Sequence, residues 1–206
     1  MGDVLMGKYG LDTRLMDVNC IGESADCNDS ACVVMAATVT NLDTSIRPTK
    51  DAYYLNIAGV IASRGTCLRR NYGSIIVKDD HIVSTGYTGA PRGRKNCCDI
   101  GHCVRQKNNI PRGEKYELCR SVHSEMNAII NASPEEMKDA TLYLVGIEHD
   151  TGELVDNPNC CAMCKRAVIN AGIKKVVVRN KDMTIRTFEV SDWIEHDDSL
   201  TLESGY

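Results

Sequence analysis

The chain has 206 residues, 43% hydrophobic and 25% charged, with a formal net charge of −4. That length suits one domain with a substantial core, and the composition is that of an ordinary globular protein rather than a disordered or membrane-embedded one. The acidic balance and the 5% aromatic content argue against a general nucleic-acid coat or a wide base-stacking surface.

Residues 1–50 carry Gly, Ser, Asp and Asn tracts without a periodic apolar face. They read as an extension, partly disordered, with no basic flank ahead of an apolar run to mark a secretory signal. From Asp51 onward Tyr54, Ile57, Ala58, Ile61 and Ala62 recur at helical spacing, ending at Gly65. Residues 73–78 and 81–87 read as two strands joined by a turn at Asp79-Asp80. A Gly/Pro/Arg-rich loop over residues 89–96 leads into a cysteine-rich stretch. Residues 122–132 have helical character and stop before Ser133-Pro134. Residues 140–147 read as a buried strand, and 161–171 as a helix closed by Gly172. Residues 174–178 and 185–190 complete the strands, with a polar tail over 191–206. The expected order, α-β-β-α-β-α-β, describes an α/β domain over residues 51–190, a sheet with helices packed on it.

Eleven cysteines are the outstanding feature. An odd count without a secretory signal points to a reducing, cytoplasmic setting and to metal or catalytic use rather than a disulfide framework. Cys97, Cys98, Cys103 and Cys119 form one cluster and Cys160, Cys161 and Cys164 another. Cys20, Cys27 and Cys32 have no metal-like spacing.

Two short motifs carry the chemistry. His123-Ser124-Glu125 opens one expected helix, and Cys161-Ala162-Met163-Cys164 opens another. Two cysteines three apart at a helix start can aim both sulfurs at one cation, and the positive end of the helix favours thiolate. His123 supplies a nitrogen as third ligand. Three protein ligands leave a fourth tetrahedral position for water, the arrangement of a catalytic rather than a structural zinc. Glu125 then sits beside that water without binding the metal and can move its protons. Either motif alone is weak, because Cys-x-x-Cys also occurs in structural zinc knuckles. Together they match the His-x-Glu plus Cys-x-x-Cys pattern of zinc nucleobase deaminases.

Further stretches carry a family resemblance. They are Tyr72-Gly-Ser-Ile-Ile-Val, Ser84-Thr-Gly-Tyr-Thr-Gly-Ala-Pro-Arg-Gly, Val122-His-Ser-Glu-Met-Asn-Ala-Ile-Ile, Ala140-Thr-Leu-Tyr-Leu and the segment from Cys164 to Ile173. With them the chain, over residues 51–178, resembles the deoxycytidylate (dCMP) deaminases of the cytidine deaminase-like superfamily. The resemblance implies a three-layer α/β/α fold with a five-stranded mixed sheet, a catalytic zinc, and hydrolysis of dCMP to dUMP with release of ammonia. It also implies a homo-oligomer and, in some members, dCTP and dTTP as effectors. The chain departs from the usual pattern at three places. Cys160 stands where Pro usually precedes the first zinc cysteine, Ser124 replaces the usual Ala between His and Glu, and Thr88 stands where an Asn usually touches the nucleotide. Residues 148–157 lengthen the link to the second motif and suggest a small hairpin.

The resemblance extends to a second, structural zinc. Cys67, Cys98, Cys103 and Cys119 are the expected ligands, with His102 or Cys97 as substitutes and free thiols as the alternative. A loop over residues 89–120 with few apolar residues would gain from such a clamp. Arg92, Arg94 and Lys95 form a positive patch in that loop, suited to a 5′-phosphate or effector triphosphate, or simply to solvent. Two other functions compete with dCMP deamination. One is deamination of another base, nucleoside or pterin-like ring, and the other is a degenerate zinc-held binding module. The presence of Glu125, which a structural zinc does not need, weighs against the latter.

Overall fold

The computed structural model describes residues 47–111 and 114–196. Apart from residues 47–50, the expected extension and its cysteines Cys20, Cys27 and Cys32 lie outside the described residues, as does the end of the tail. No helix among the described residues is long and apolar enough to cross a membrane.

Helix α1 (Lys50–Ala62) starts at Thr49, whose hydroxyl accepts from the Ala52 amide at 3.2 Å. Five strands form one sheet: β1 (Arg70–Lys78), β2 (His81–Tyr87), β3 (Thr141–Glu148), β4 (Lys175–Arg179) and β5 (Ile185–Glu189), in the order β2-β1-β3-β4-β5. β1 runs antiparallel to both neighbours, β3 and β4 are parallel, and β5 returns antiparallel. The sheet is therefore mixed, as the resemblance implies. β1 and β3 are buried along almost their whole length because both faces are covered.

Strand alternation divides the apolar side chains between two cores. Ile75, Val77, Tyr143, Val145 and Val177 face α1 and meet Tyr54, Leu55, Ala58 and Ala62. Ile76, Leu142, Leu144, Val176 and Val178 face the opposite layer. That layer holds α4 (Ser124–Ile130), α6 (Ala162–Asn170) and α7 (Val190–Glu195). The short helices α2 (Cys97–Ile100) and α3 (Val104–Lys107) and the 3-10 turn Tyr116–Leu118 lie in the long cysteine loop.

The boundaries differ from expectation in three places. β1 begins at Arg70 rather than 73, because residues 70–72 pair with Glu148–Gly146 of β3 despite lacking an apolar alternation. The expected helix over 122–132 ends at Ile130. A one-turn helix α5 (Pro134–Met137) follows, started by a Ser133/Glu136 capping box. The expected tail begins as α7, because Val190 is buried in the core and Trp193 packs beside it, with the Lys165 ammonium 5.4 Å from the Trp193 ring. Residues 148–157 do form the small hairpin, through Glu148 N–H to Glu153 C=O at 2.8 Å and Val155 N–H to Gly146 C=O at 2.9 Å.

Glycine sets how closely the site helix approaches the sheet. A Cβ on Gly86 of β2 would lie 2.2 Å from the Ser124 carbonyl oxygen and 2.4 Å from the Ala128 amide nitrogen, both backbone atoms of α4. Gly86→Ala must therefore push α4 outward and is expected to cost about 2–3 kcal/mol in urea unfolding. A change below about 0.5 kcal/mol would show that α4 does not rest on the β2 backbone.

Candidate active site

The ends of two helices build the centre. His123 is the N-cap of α4 and Cys161 the N-cap of α6, with Cys164 one turn into α6. Both sulfurs lie 3.4 Å from the same histidine nitrogen, Nδ1. The three donor atoms all lie within 4.8 Å of one another, the one such group of His, Cys, Asp or Glu among the described residues. One nitrogen, two sulfurs and an open side fit a zinc ion with a fourth, exchangeable position. Cys164 is fully buried, and Glu125 is only 4% exposed.

The electrostatics of the triad are those of a shared proton. A hydrogen bond from Cys164, together with the His123 imidazole, outweighs burial and brings the Cys161 thiol down to about 4. The same thiolate, with burial, pushes Cys164 up. Burial lowers His123, but its hydrogen bond to Cys161 and the charges of Glu125 and Cys161 leave it above its ordinary value. One negative charge is thus held between two sulfurs, and a divalent cation would take the place of the shared proton.

The centre opens into a cavity of about 400 Å³, within the range of small-molecule sites. His123, Glu125 and Cys161 form one wall. Arg69, Arg70, Tyr72, Thr88, Arg105, Tyr116 and Asn159 form the rest, together with Cys67, Cys103, Cys119 and Ser121. The Tyr116 ring meets the His123 ring edge-on at 5.2 Å, and the Arg105 guanidinium stacks over Tyr116 at 4.5 Å. Arg105 is buried. Its guanidinium donates to the Pro111 and Glu114 carbonyl oxygens, and its buried Nε has no hydrogen-bond partner among the described residues.

The placement bears on two expectations. Arg92, Arg94 and Lys95 are exposed and do not line the cavity, and Arg92 donates instead to Asn131 Oδ1 at 2.7 Å, at the end of α4. The arginines that do line the cavity are Arg69, just before β1, Arg70, its first residue, and Arg105. Thr88 does line the cavity, but its hydroxyl is engaged with β1, accepting from the Tyr72 amide at 3.1 Å. Sequence reading missed Arg69, Arg70 and Arg105. The signal was their position two and three residues after Cys67, and two after Cys103.

The second cysteine set is rearranged by one position. Cys98 is exposed and its sulfur turns to the Asp99 carboxylate at 3.6 Å, and His102 is exposed as well. Cys97, one residue and about 100° earlier on α2, is buried. Burial pushes its thiol up, and the charges of Cys67, Cys103 and Cys119 act in the same direction. The structure thus brings Cys97, not Cys98, towards Cys67, Cys103 and Cys119. These four do not close to the spacing of the His123 group.

Residues 48–180 match the family model described as the cytidine and deoxycytidylate deaminase zinc-binding region. The chain is 33% identical over 132 residues to a deoxycytidylate deaminase of Schizosaccharomyces pombe, covering 64% of this chain and 37% of that protein. It is 29% identical over 162 residues to the deoxycytidylate deaminase of Saccharomyces cerevisiae, covering 71% of this chain and 47% of that one. A deoxycytidylate deaminase of Mycobacterium phage D29 is 32% identical over 136 residues, covering 64% of this chain and 94% of the phage protein. The chain thus spans less than half the length of the two yeast relatives. With the model matched over most of the domain and the His/Cys/Cys group in place, the chain belongs to the cytidine and deoxycytidylate deaminase zinc-binding family.

Proposed function

We propose that this protein hydrolyses dCMP to dUMP and ammonia at a zinc centre held by His123, Cys161 and Cys164. The reading is carried by the convergence of those three donors beside the buried Glu125 in one wall of an arginine-lined cavity. Three relatives named deoxycytidylate deaminase support it. Bound there, zinc supplies an acidified water as the nucleophile for C4 of the cytosine ring. Glu125 takes one proton of that water at a carboxylate oxygen and gives it to ring N3. It then carries the second proton to the departing amine, which leaves as ammonia. The low exposure of Glu125 excludes bulk water from these transfers.

The cavity also supports the nucleotide over the nucleoside. Arg105 has no carboxylate partner among the described residues, and the Arg69 side chain meets no described partner either. Arg70 is already paired with Glu148, at 2.7 Å. Arg69 and Arg105 are therefore the guanidinium groups left for a 5′-phosphate. Each charge-assisted bond contributes about 1.5–3 kcal/mol, so kcat/KM for dCMP should exceed that for deoxycytidine by about 10²-fold. Neutralising Arg69 and Arg105 together should narrow the gap by about tenfold or more. Equal turnover of deoxycytidine by the unaltered protein would overturn the nucleotide reading. We also propose, from the resemblance read in the sequence, a homo-oligomer and a response to added dCTP or dTTP in the same assay.

Cys67, Cys97, Cys103 and Cys119 support a second zinc that holds the long loop. Metal analysis is then expected to give two zinc ions per chain, one of which survives His123→Ala. A single zinc, lost completely in His123→Ala, would identify these cysteines as free thiols.

A further inference from the structure

A buried pair of hydroxyls stands directly behind Glu125. Ser74, in the middle of β1, places its Oγ 2.7 Å from Ser124 Oγ, and Ser124 Oγ lies 2.9 Å from Glu125 Oε2. Both serines are 0% exposed. They lie where α4 packs against β1, in a layer otherwise built of side chains such as Ile76 and Ala128. Two hydroxyls in such a layer are costly to bury unless they bond, so their presence depends on the pairing. The carboxylate fixes the direction of the chain. An ionised Glu125 can only accept, so Ser124 donates to it, and Ser124 Oγ in turn accepts from Ser74.

We infer that Ser124, held by Ser74, is a positioning residue that fixes the rotation of the Glu125 carboxylate and commits Oε2 to the protein. The torsion of a carboxylate is broad and roughly two-fold when nothing holds it. A shuttle that must serve ring N3 and then the amine from one oxygen loses rate each time it rotates away. Ser124 supplies the restraint from the residue beside Glu125, and Ser74 supplies it from the rigid centre of the sheet. This role rests on reading Glu125 as the proton carrier.

The test is steady-state deamination of dCMP by the zinc-loaded protein and its variants. Ser124→Ala is expected to lower kcat by about 10- to 50-fold, with KM within about threefold and zinc content unchanged. Ser74→Ala should lower kcat by about three- to fivefold. The double variant should match Ser124→Ala, because Ser74 acts only through Ser124. A kcat for Ser124→Ala within twofold of the unaltered protein, a loss confined to KM, or multiplying effects in the double variant would each overturn the role. Should Ser124→Ala fail to fold or hold zinc, Ser74→Ala decides alone, and an unchanged kcat there overturns it. An active Glu125→Gln variant would instead remove the proton-carrier reading itself, whatever the serine variants show.

Discussion

Glu125→Gln is expected to keep its full complement of zinc and to lose at least about 10³-fold in kcat, ~4 kcal/mol of barrier. The amide fills the same space and can still accept a hydrogen bond from Ser124, 2.9 Å from the native Oε2. It has no basic oxygen to take a proton from water, and two transfers in the cycle need one. The metal donors are His123, Cys161 and Cys164, so their geometry does not depend on the carboxylate. Turnover within a few-fold of the unaltered protein, measured alongside zinc content, would remove Glu125 from the mechanism.

Cys164→Ala should have an effect as large, through the metal. Cys164 is fully buried, and its sulfur is one of two lying 3.4 Å from His123 Nδ1. Its removal leaves one sulfur and one nitrogen, too few for a firmly held zinc. One zinc per chain should be lost on dialysis, with activity down by at least about 10⁴-fold. Stability should fall too, since an ion present at a thousand times its Kd contributes about 4 kcal/mol to the folded state. The metal-stripped unaltered protein offers a chemical check. Cys161 is half-buried in the cavity wall and its thiol is drawn down by Cys164 and the His123 imidazole, whereas Cys164 is fully buried. Iodoacetamide should label Cys161 first, and zinc should block the labelling. Retained zinc and activity in Cys164→Ala would contradict the assigned ligand set.

The elements that chain periodicity marks were legible in advance. α1, the β1–β2 hairpin, β3, α6 and β4 each carry an apolar repeat or a turn signal within the segment itself. The motifs of the centre were legible too, since Cys161 and Cys164 lie one turn apart at one helix start and His123 opens another, but their meeting comes from the packing of α4 against α6. What escaped was set by tertiary contact. The first residues of β1 are strand only because β3 pairs with them, and α7 forms because Trp193 finds the core. Arg92 and Arg94 looked suited to a phosphate because they cluster, yet the chain turns them outward, and Arg69, Arg70 and Arg105 reach the cavity. The exchange of Cys97 for Cys98 turns on the phase of a four-residue helix, which no spacing rule fixes. The Ser74–Ser124–Glu125 chain joins residues 50 apart and becomes visible only once α4 is laid on β1.

In the proposed reaction, water replaces the amine of a cytosine nucleotide. Incubation of the zinc-loaded protein with dCMP in ¹⁸O-labelled water tests it most directly, with the product followed by mass spectrometry and ammonia counted in parallel. Hydrolysis at C4 should give dUMP carrying one ¹⁸O at C4 and one ammonia per dUMP, with no detectable product from Glu125→Gln in the same time. Unchanged dCMP in the presence of bound zinc, or ammonia released only from an unphosphorylated nucleoside or another ring, would contradict it.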